Sequence, residues 1–167
     1  MNKIPVGSPT SWEWKDCPVA SIDFWSDTVG VIELPAVAAD IDLPDVVVAG
    51  LPIGTLERVV VVLKVRALEN ANSGGPNAIN GAQAIRIKKS TGTWGTDDVI
   101  AIDLADNMWT VAASTKEAGD VLVGDNDVKS EVDGNGTYNL RFEDALVDLA
   151  SLRLYDVMVG LRFYFTP

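Results

Sequence analysis

The run from residue 57 to 68, ERVVVVLKVRAL, constrains the fold more than any other stretch. Val59, Val61, Leu63, Val65 and Ala67 fall on one side of an extended chain, and Val60, Val62, Lys64 and Arg66 on the other. Strand side chains alternate with period two, so the run reads as a central strand. Its first half is apolar on both faces, which places residues 59–62 deepest and demands neighbours on both edges. Lys64 and Arg66 mark where one face emerges, and that is the first place to look for a subunit contact.

A second long strand is expected at 153–166. Val157, Val159, Leu161, Phe163 and Phe165 share one face; Met158, Gly160, Arg162 and Tyr164 share the other. A terminal strand this apolar is expected to insert beside other strands. Shorter alternating runs lie between the two. Residues 21–34 read as one bent or bulged strand, and 40–44 and 45–49 as further strands. Residues 84–89, 99–104, 108–113, 121–124, 128–132 and 138–142 complete the set. Asp133-Gly134-Asn135-Gly136 predicts a hairpin turn, because Asp-Gly and Asn-Gly favour positive φ. Residues 114–119 resemble one helical turn with a Ser or Thr cap and a terminal Gly. Residues 144–152 read as a short helix or a folded loop. Residues 69–81 are almost all turn formers, and a loop that long is expected to serve function or contact.

Many short strands, turn signals between them and no βαβ pattern predict an all-β fold. The two longest strands lie far apart in sequence, as in Greek-key and jelly-roll topologies. The expectation is a jelly-roll-like sandwich of two antiparallel sheets over residues 21–167, with an extended N-terminal arm over 1–20. Pro5, Gly7, Pro9 and Pro18 break the arm, and Trp12 and Trp14 sit two apart on one face of it. A tryptophan is costly to leave in water, so the arm is expected to lie on its own domain or on a neighbouring subunit. At 167 residues, one domain can bury a sizeable core.

Composition narrows the chemistry. The chain has no histidine and one cysteine, Cys17, which reads as a small buried hydrophobe. The usual general base, nucleophile activator and zinc ligand are therefore missing. No Gly-x-Ser-x-Gly elbow occurs, and Gly74-Gly75-Pro76 lacks the Gly-Lys-Ser/Thr end of a phosphate loop. Asp97-Asp98, Glu143-Asp144 and Asp40 with Asp42 are carboxylate pairs in name only, since sequence fixes no separation between them. Asp120, Asp125, Asp127, Glu131 and Asp133 cluster, yet Lys129 and Ser130 stand where a calcium loop beginning at Asp125 needs a ligand and a glycine. No catalytic, cofactor or metal residue is assigned. The net charge of −11 repels a phosphate backbone, so nucleic acid is not an expected partner. No apolar run approaches the roughly 18 residues of a membrane helix, and the first residues show no secretory pattern, so synthesis in the cytoplasm is expected.

The Lys64-Val65-Arg66-Ala67 strand end, the Asn/Gly loop 70–81 and the closing run from Asp156 to Phe163 together resemble jelly-roll structural proteins of viruses and phages. The resemblance is to capsid-associated or decoration proteins and spans residues 20–167. It implies a non-enzymatic structural role in the virion, self-association with a trimer among the expected states, and a capsid lattice as a further partner. It carries over no functional residue. The alternative is a carbohydrate-binding sandwich. Of five tryptophans (Trp12, Trp14, Trp25, Trp94 and Trp109), Trp94 lies between glycines in a polar loop and is the best candidate stacking platform. An enzyme ranks last.

Overall fold

The computed structural model describes residues 20–149 and 151–166. The expected arm, with Trp12, Trp14 and Cys17, lies outside the described residues; only its last residue, Ala20, falls within them. In chain order the strands are β1 (Ala20–Trp25), β2 (Val29–Pro35), β3 (Ala39–Asp42), β4 (Val46–Val48), β5 (Thr55–Lys64) and β6 (Ala67–Asn70). They continue with β7 (Gln83–Lys89), β8 (Asp98–Leu104), β9 (Lys116–Ala118), β10 (Val121–Val123), β11 (Gly136–Ala145) and β12 (Ser151–Thr166). No helix occurs among the described residues.

Several of these strands are halves of longer rows. β1 and β2 lie end to end along one edge of β12, while β5 and β6 lie end to end along its other edge. β10 then pairs with β5 and β9 with β6. In the second sheet β3 and β4 share one edge of β11, and β7 and β8 follow on the other side. Numbered as rows in chain order, the first sheet runs sixth, third, eighth, first, and the second runs second, seventh, fourth, fifth. Every pairing is antiparallel. This is jelly-roll order: two four-row sheets linked by Greek-key connections.

The core lies between the inward faces. Val59, Val61 and Leu63 of β5 and Val157, Val159, Leu161 and Phe163 of β12 meet Ile85 and Ile87 of β7 and Tyr138, Leu140 and Phe142 of β11, all buried in one cluster. Phe24 packs edge-on against Phe163 at 5.6 Å, and Trp109 against Phe142 at 6.4 Å. The five residues from Val59 to Leu63 are all buried, as their two-faced apolar pattern requires. The row in the middle of this sheet is held by β12, with β5 beside it.

The first sheet is creased. The expected strand at 57–68 breaks after Lys64, and the expected strand at 21–34 breaks after Trp25. β9 and β10 part at Gly119-Asp120, and within β12 Asp156 takes a φ of 48°. These interruptions lie on one line, because hydrogen bonds join them. Val65 N–H donates to the Asp120 carbonyl at 2.9 Å, Arg66 N–H to Tyr155 at 2.9 Å, and Gly119 N–H to Arg66 at 2.9 Å. Ser26 N–H donates to the Val159 carbonyl at 2.8 Å, and Val159 N–H donates back to Ser26 Oγ at 3.1 Å. The buried positions on β12 change parity here, from Leu152 and Leu154 to Val157 and Val159. The register of β12 is kept across the crease, with Tyr155 opposite Ala67 and Met158 opposite Lys64, so the positive φ at Asp156 turns the strand without an extra residue and both halves face the core.

Other local expectations are overturned. Within residues 114–119, Lys116–Ala118 form β9 instead of part of a helical turn, because pairing with β6 supplies ladder hydrogen bonds to a segment too short to hold a helix. Residues 128–132 form a turn, with Val132 N–H on the Val128 carbonyl at 2.8 Å, so no strand stands there for residues 133–136 to return from. The hairpin is replaced by a tether: Tyr138 Oη donates to the Gly134 carbonyl at 2.7 Å. Residues 108–113 contribute only the bridge of Val111 to Asn77, and 144–149 extend β11 and bridge Val147 to Ile79. Loop 69–81 is only partly a surface loop. Asn70 and Asn77 are fully buried and satisfy backbone groups at the end of the sandwich. Asn77 Nδ2 donates to Ser151 at 2.8 Å and its Oδ1 accepts from Leu149 N–H at 2.9 Å.

Candidate functional site

Several of the carboxylates singled out in the sequence are engaged one at a time. Asp97 Oδ2 accepts from Thr93 N–H at 2.7 Å. Asp127 Oδ1 accepts from the amides of Val59 and Lys129, both at 3.0 Å. Glu131 accepts from Lys89 N–H, and Asp133 pairs with Lys89 Nζ at 2.9 Å. Among the described residues no group of three or more Cys, Asp or Glu is placed to hold a metal ion. Asp98 and Glu143 converge on a single cation: Arg86 lies 3.1 Å from Asp98 and 2.5 Å from Glu143. The hydrogen bond to Glu143 is the main cause that holds the Arg86 guanidinium above its ordinary pKa. Two carboxylates bridged by a guanidinium form a structural clamp.

These groups share the outer face of the second sheet. Arg141 pairs with Asp40 at 2.9 Å. Lys88 Nζ donates to Asn139 Oδ1 at 3.0 Å, and Asn139 Nδ2 donates to Asp45 Oδ1 at 2.7 Å. Trp94 reaches over from the loop between β7 and β8, with Arg141 4.2 Å and Lys88 5.0 Å from its ring centre. It is anchored by cation–π contact with its own sheet. A polar groove of about 330 Å³ remains beside it, lined by Asp42, Asp45, Trp94 and Asn139 over Leu43 and Leu140.

The outer face of the first sheet is different. A groove of about 510 Å³ follows the crease, lined by Lys64, Val65, Arg66, Gly119, Asp120, Val121, Asp156 and Met158, with Thr28 at one end. The residues expected at a contact, Lys64 and Arg66, therefore flank it. Arg66 is hydrogen-bonded to Asp156 across the crease. Lys64 Nζ sits 4.0 Å from the centre of the Trp25 ring. Trp25 in turn lies flat on Gly160, where a Cβ would come within 2.6 Å of the indole. Gly119 is required by close approach: a Cβ there would fall 1.6 Å from the Val65 carbonyl oxygen. On the adjoining β10, Val121 and Val123 stay 62% and 51% exposed. Further along the face, Arg162 donates to both oxygens of Asp23 at 2.7 and 2.8 Å. That bond is the main cause that holds the Asp23 carboxyl below its ordinary range, against a smaller opposing effect of burial. The groove's floor and its valines offer apolar surface, and its rim offers two cations and two anions.

The crease residues were invisible as a group in the sequence. Lys64 and Arg66 were found by alternation, but Val121, Asp120 and Asp156 join them only through strand pairing.

No family model matches the chain, and no curated protein matches its sequence. Among solved structures the chain is similar to the capsid of Ralstonia phage GP4, at 15% identity over 100% of this chain and 91% of that one, with a TM-score of 0.32. At that superposition the fold rests on the strand order alone.

Proposed function

We propose that this chain is a non-enzymatic structural protein of a virus or phage particle, capsid-associated or decorating, that works as a homo-oligomer. The observation that carries the reading is the crease groove with its exposed valines. A chain of net charge −11 repels its own copies unless they meet where charge is balanced. The groove rim supplies Lys64 and Arg66 against Asp120 and Asp156, next to apolar surface. A second copy is the occupant that this balance fits, since mixed charge around an apolar centre is the usual make-up of a specific interface. The jelly-roll order is compatible with this role but does not establish it. Size-exclusion chromatography with light scattering, run over a range of concentrations, tests the reading. A defined multimer, a trimer among the expected states, supports it. A clean monomer at high concentration contradicts it. Co-sedimentation with particles tests the capsid partner and the virion location.

One observation favours the alternative of a carbohydrate-binding module. The polar groove beside Trp94 presents an aromatic edge with two carboxylates and an amide, the group types that orient a sugar. Glycan-array binding that Trp94→Ala abolishes supports it, and silence on the array removes it.

A further inference from the structure

On the outer face of the second sheet, three groups stand in a reactive order. Lys88 on β7 and Asn139 on β11 are directly opposed across the ladder. The Lys88 amine lies 3.0 Å from the Asn139 side-chain carbonyl oxygen, next to the amide carbon it would attack. Asp45 holds the nitrogen that would leave, at 2.7 Å. Lys88 is only 6% exposed, and Trp94 lies over it. Arg86 and Arg141 occupy the neighbouring positions on the same face, while Asp98, opposite Lys88 on β8, is engaged by Arg86. Removal from water and adjacent cations are the two general conditions that make a lysine a nucleophile.

We infer that Lys88 and Asn139 condense into an intramolecular isopeptide bond that covalently joins β7 to β11. In its unprotonated form the Lys88 amine attacks the Asn139 amide carbon, and the Nζ–Cγ bond forms. The Cγ–Nδ2 bond breaks, with its electron pair leaving on nitrogen. One proton from Nζ passes to the departing nitrogen, which leaves as ammonia. Amine and primary amide thus become secondary amide and ammonia, with no oxidant, reductant or co-reactant. Asp45, which already accepts from Nδ2, returns the proton released by Nζ to the departing nitrogen and ends as it began. The pair is held in contact by the ladder itself, so the reaction is intramolecular and gains the rate advantage of fixed proximity. The bond is independent of the assembly reading, since it lies on the opposite outer face from the crease.

Intact-mass spectrometry of the folded chain tests this directly. The wild type is expected to weigh one ammonia less than its sequence mass, and a protease digest should contain a branched peptide joining the segments of Lys88 and Asn139. Lys88→Arg, which keeps the charge, and Asn139→Ala should each weigh their full sequence mass while retaining the wild-type circular dichroism. Asp45→Asn should lose ammonia at least roughly 100-fold more slowly, as expected on removing a general acid–base group. A wild type at full sequence mass after prolonged incubation overturns the proposal. So does an ammonia loss that persists in Lys88→Arg, which would mark a succinimide at Asn135-Gly136 or Asn80-Gly81. Wild-type kinetics in Asp45→Asn would overturn the relay assigned to Asp45.

Discussion

The two outer faces of the sandwich carry similar residue types and use them in opposite ways. On the second sheet, Arg86, Lys88 and Arg141 each find a carboxylate, amide or aromatic partner within the chain, and the Asp98 side chain is only 2% exposed. On the first sheet, charges ring a groove flanked by Val121 and Val123 in water, while the second sheet leaves Val47 exposed on its β4 row. Charges buried with their partners have little to offer another copy, whereas Arg66 and Asp156, though paired, stay 62% and 39% exposed. A face that keeps apolar surface exposed beside balanced charge is the one suited to contact. The comparison therefore assigns the second face to holding the fold and makes the first the face proposed to meet another copy.

The largest effect should come from breaking the crease. Gly119→Val forces a side chain into the Val65 carbonyl, so it should cost about 4 kcal/mol or more or prevent folding. Urea unfolding followed by tryptophan fluorescence measures it. A variant of near wild-type stability would show that the crease yields easily and does not shape the groove.

Next is the clamp on the other face. Arg86→Leu strands the buried Asp98 carboxylate and should cost about 3 kcal/mol, since an uncompensated buried charge is expensive. Oligomeric state should not change. If instead the variant dissociates while remaining stable, the division of labour between the faces is wrong.

A smaller effect belongs to acid. The folded-state pKa of Asp23 is depressed by Arg162, so its contribution to stability is present above the unfolded value and lost as pH falls through the folded one. The loss should therefore set in below about pH 4. With both side chains partly in water, its size should be roughly 0.5–1 kcal/mol. Asp23→Asn should remove this component. An identical acid-side slope in wild type and variant, measured by thermal melts from pH 6 downward, would contradict it.

Smallest in stability, and most telling in association, is the pair Val121→Asp with Val123→Asp. Both side chains are exposed, so stability should move by no more than about 0.5 kcal/mol. Association should weaken strongly, because added negative charge destroys the balance at the rim.

Legibility from sequence followed the same division. The alternation of β5 and β12 was readable because period-two burial is a local property, and their far separation in the chain pointed to a jelly roll. The crease was not readable. Asp156 adopts a positive φ that nothing in its neighbours signals, and the break at Val65-Arg66 exists only in register with Gly119-Asp120. Loop 69–81 reads from its turn formers and its length as a surface loop, which hides what two of its asparagines do. Asn70 and Asn77 are there to satisfy buried backbone groups, which no composition rule reveals. Lys88, Asn139 and Asp45 are scattered along the chain, and only the β7–β11 and β4–β11 pairings bring them together.

Hydrogen–deuterium exchange on the assembled and the diluted chain tests the central claim most directly. Assembly should protect the amides of residues 64–66 and 119–123 at the crease and leave residues 86–98 and 139–143 unchanged. Protection that falls on the second face, or on neither, would contradict the account.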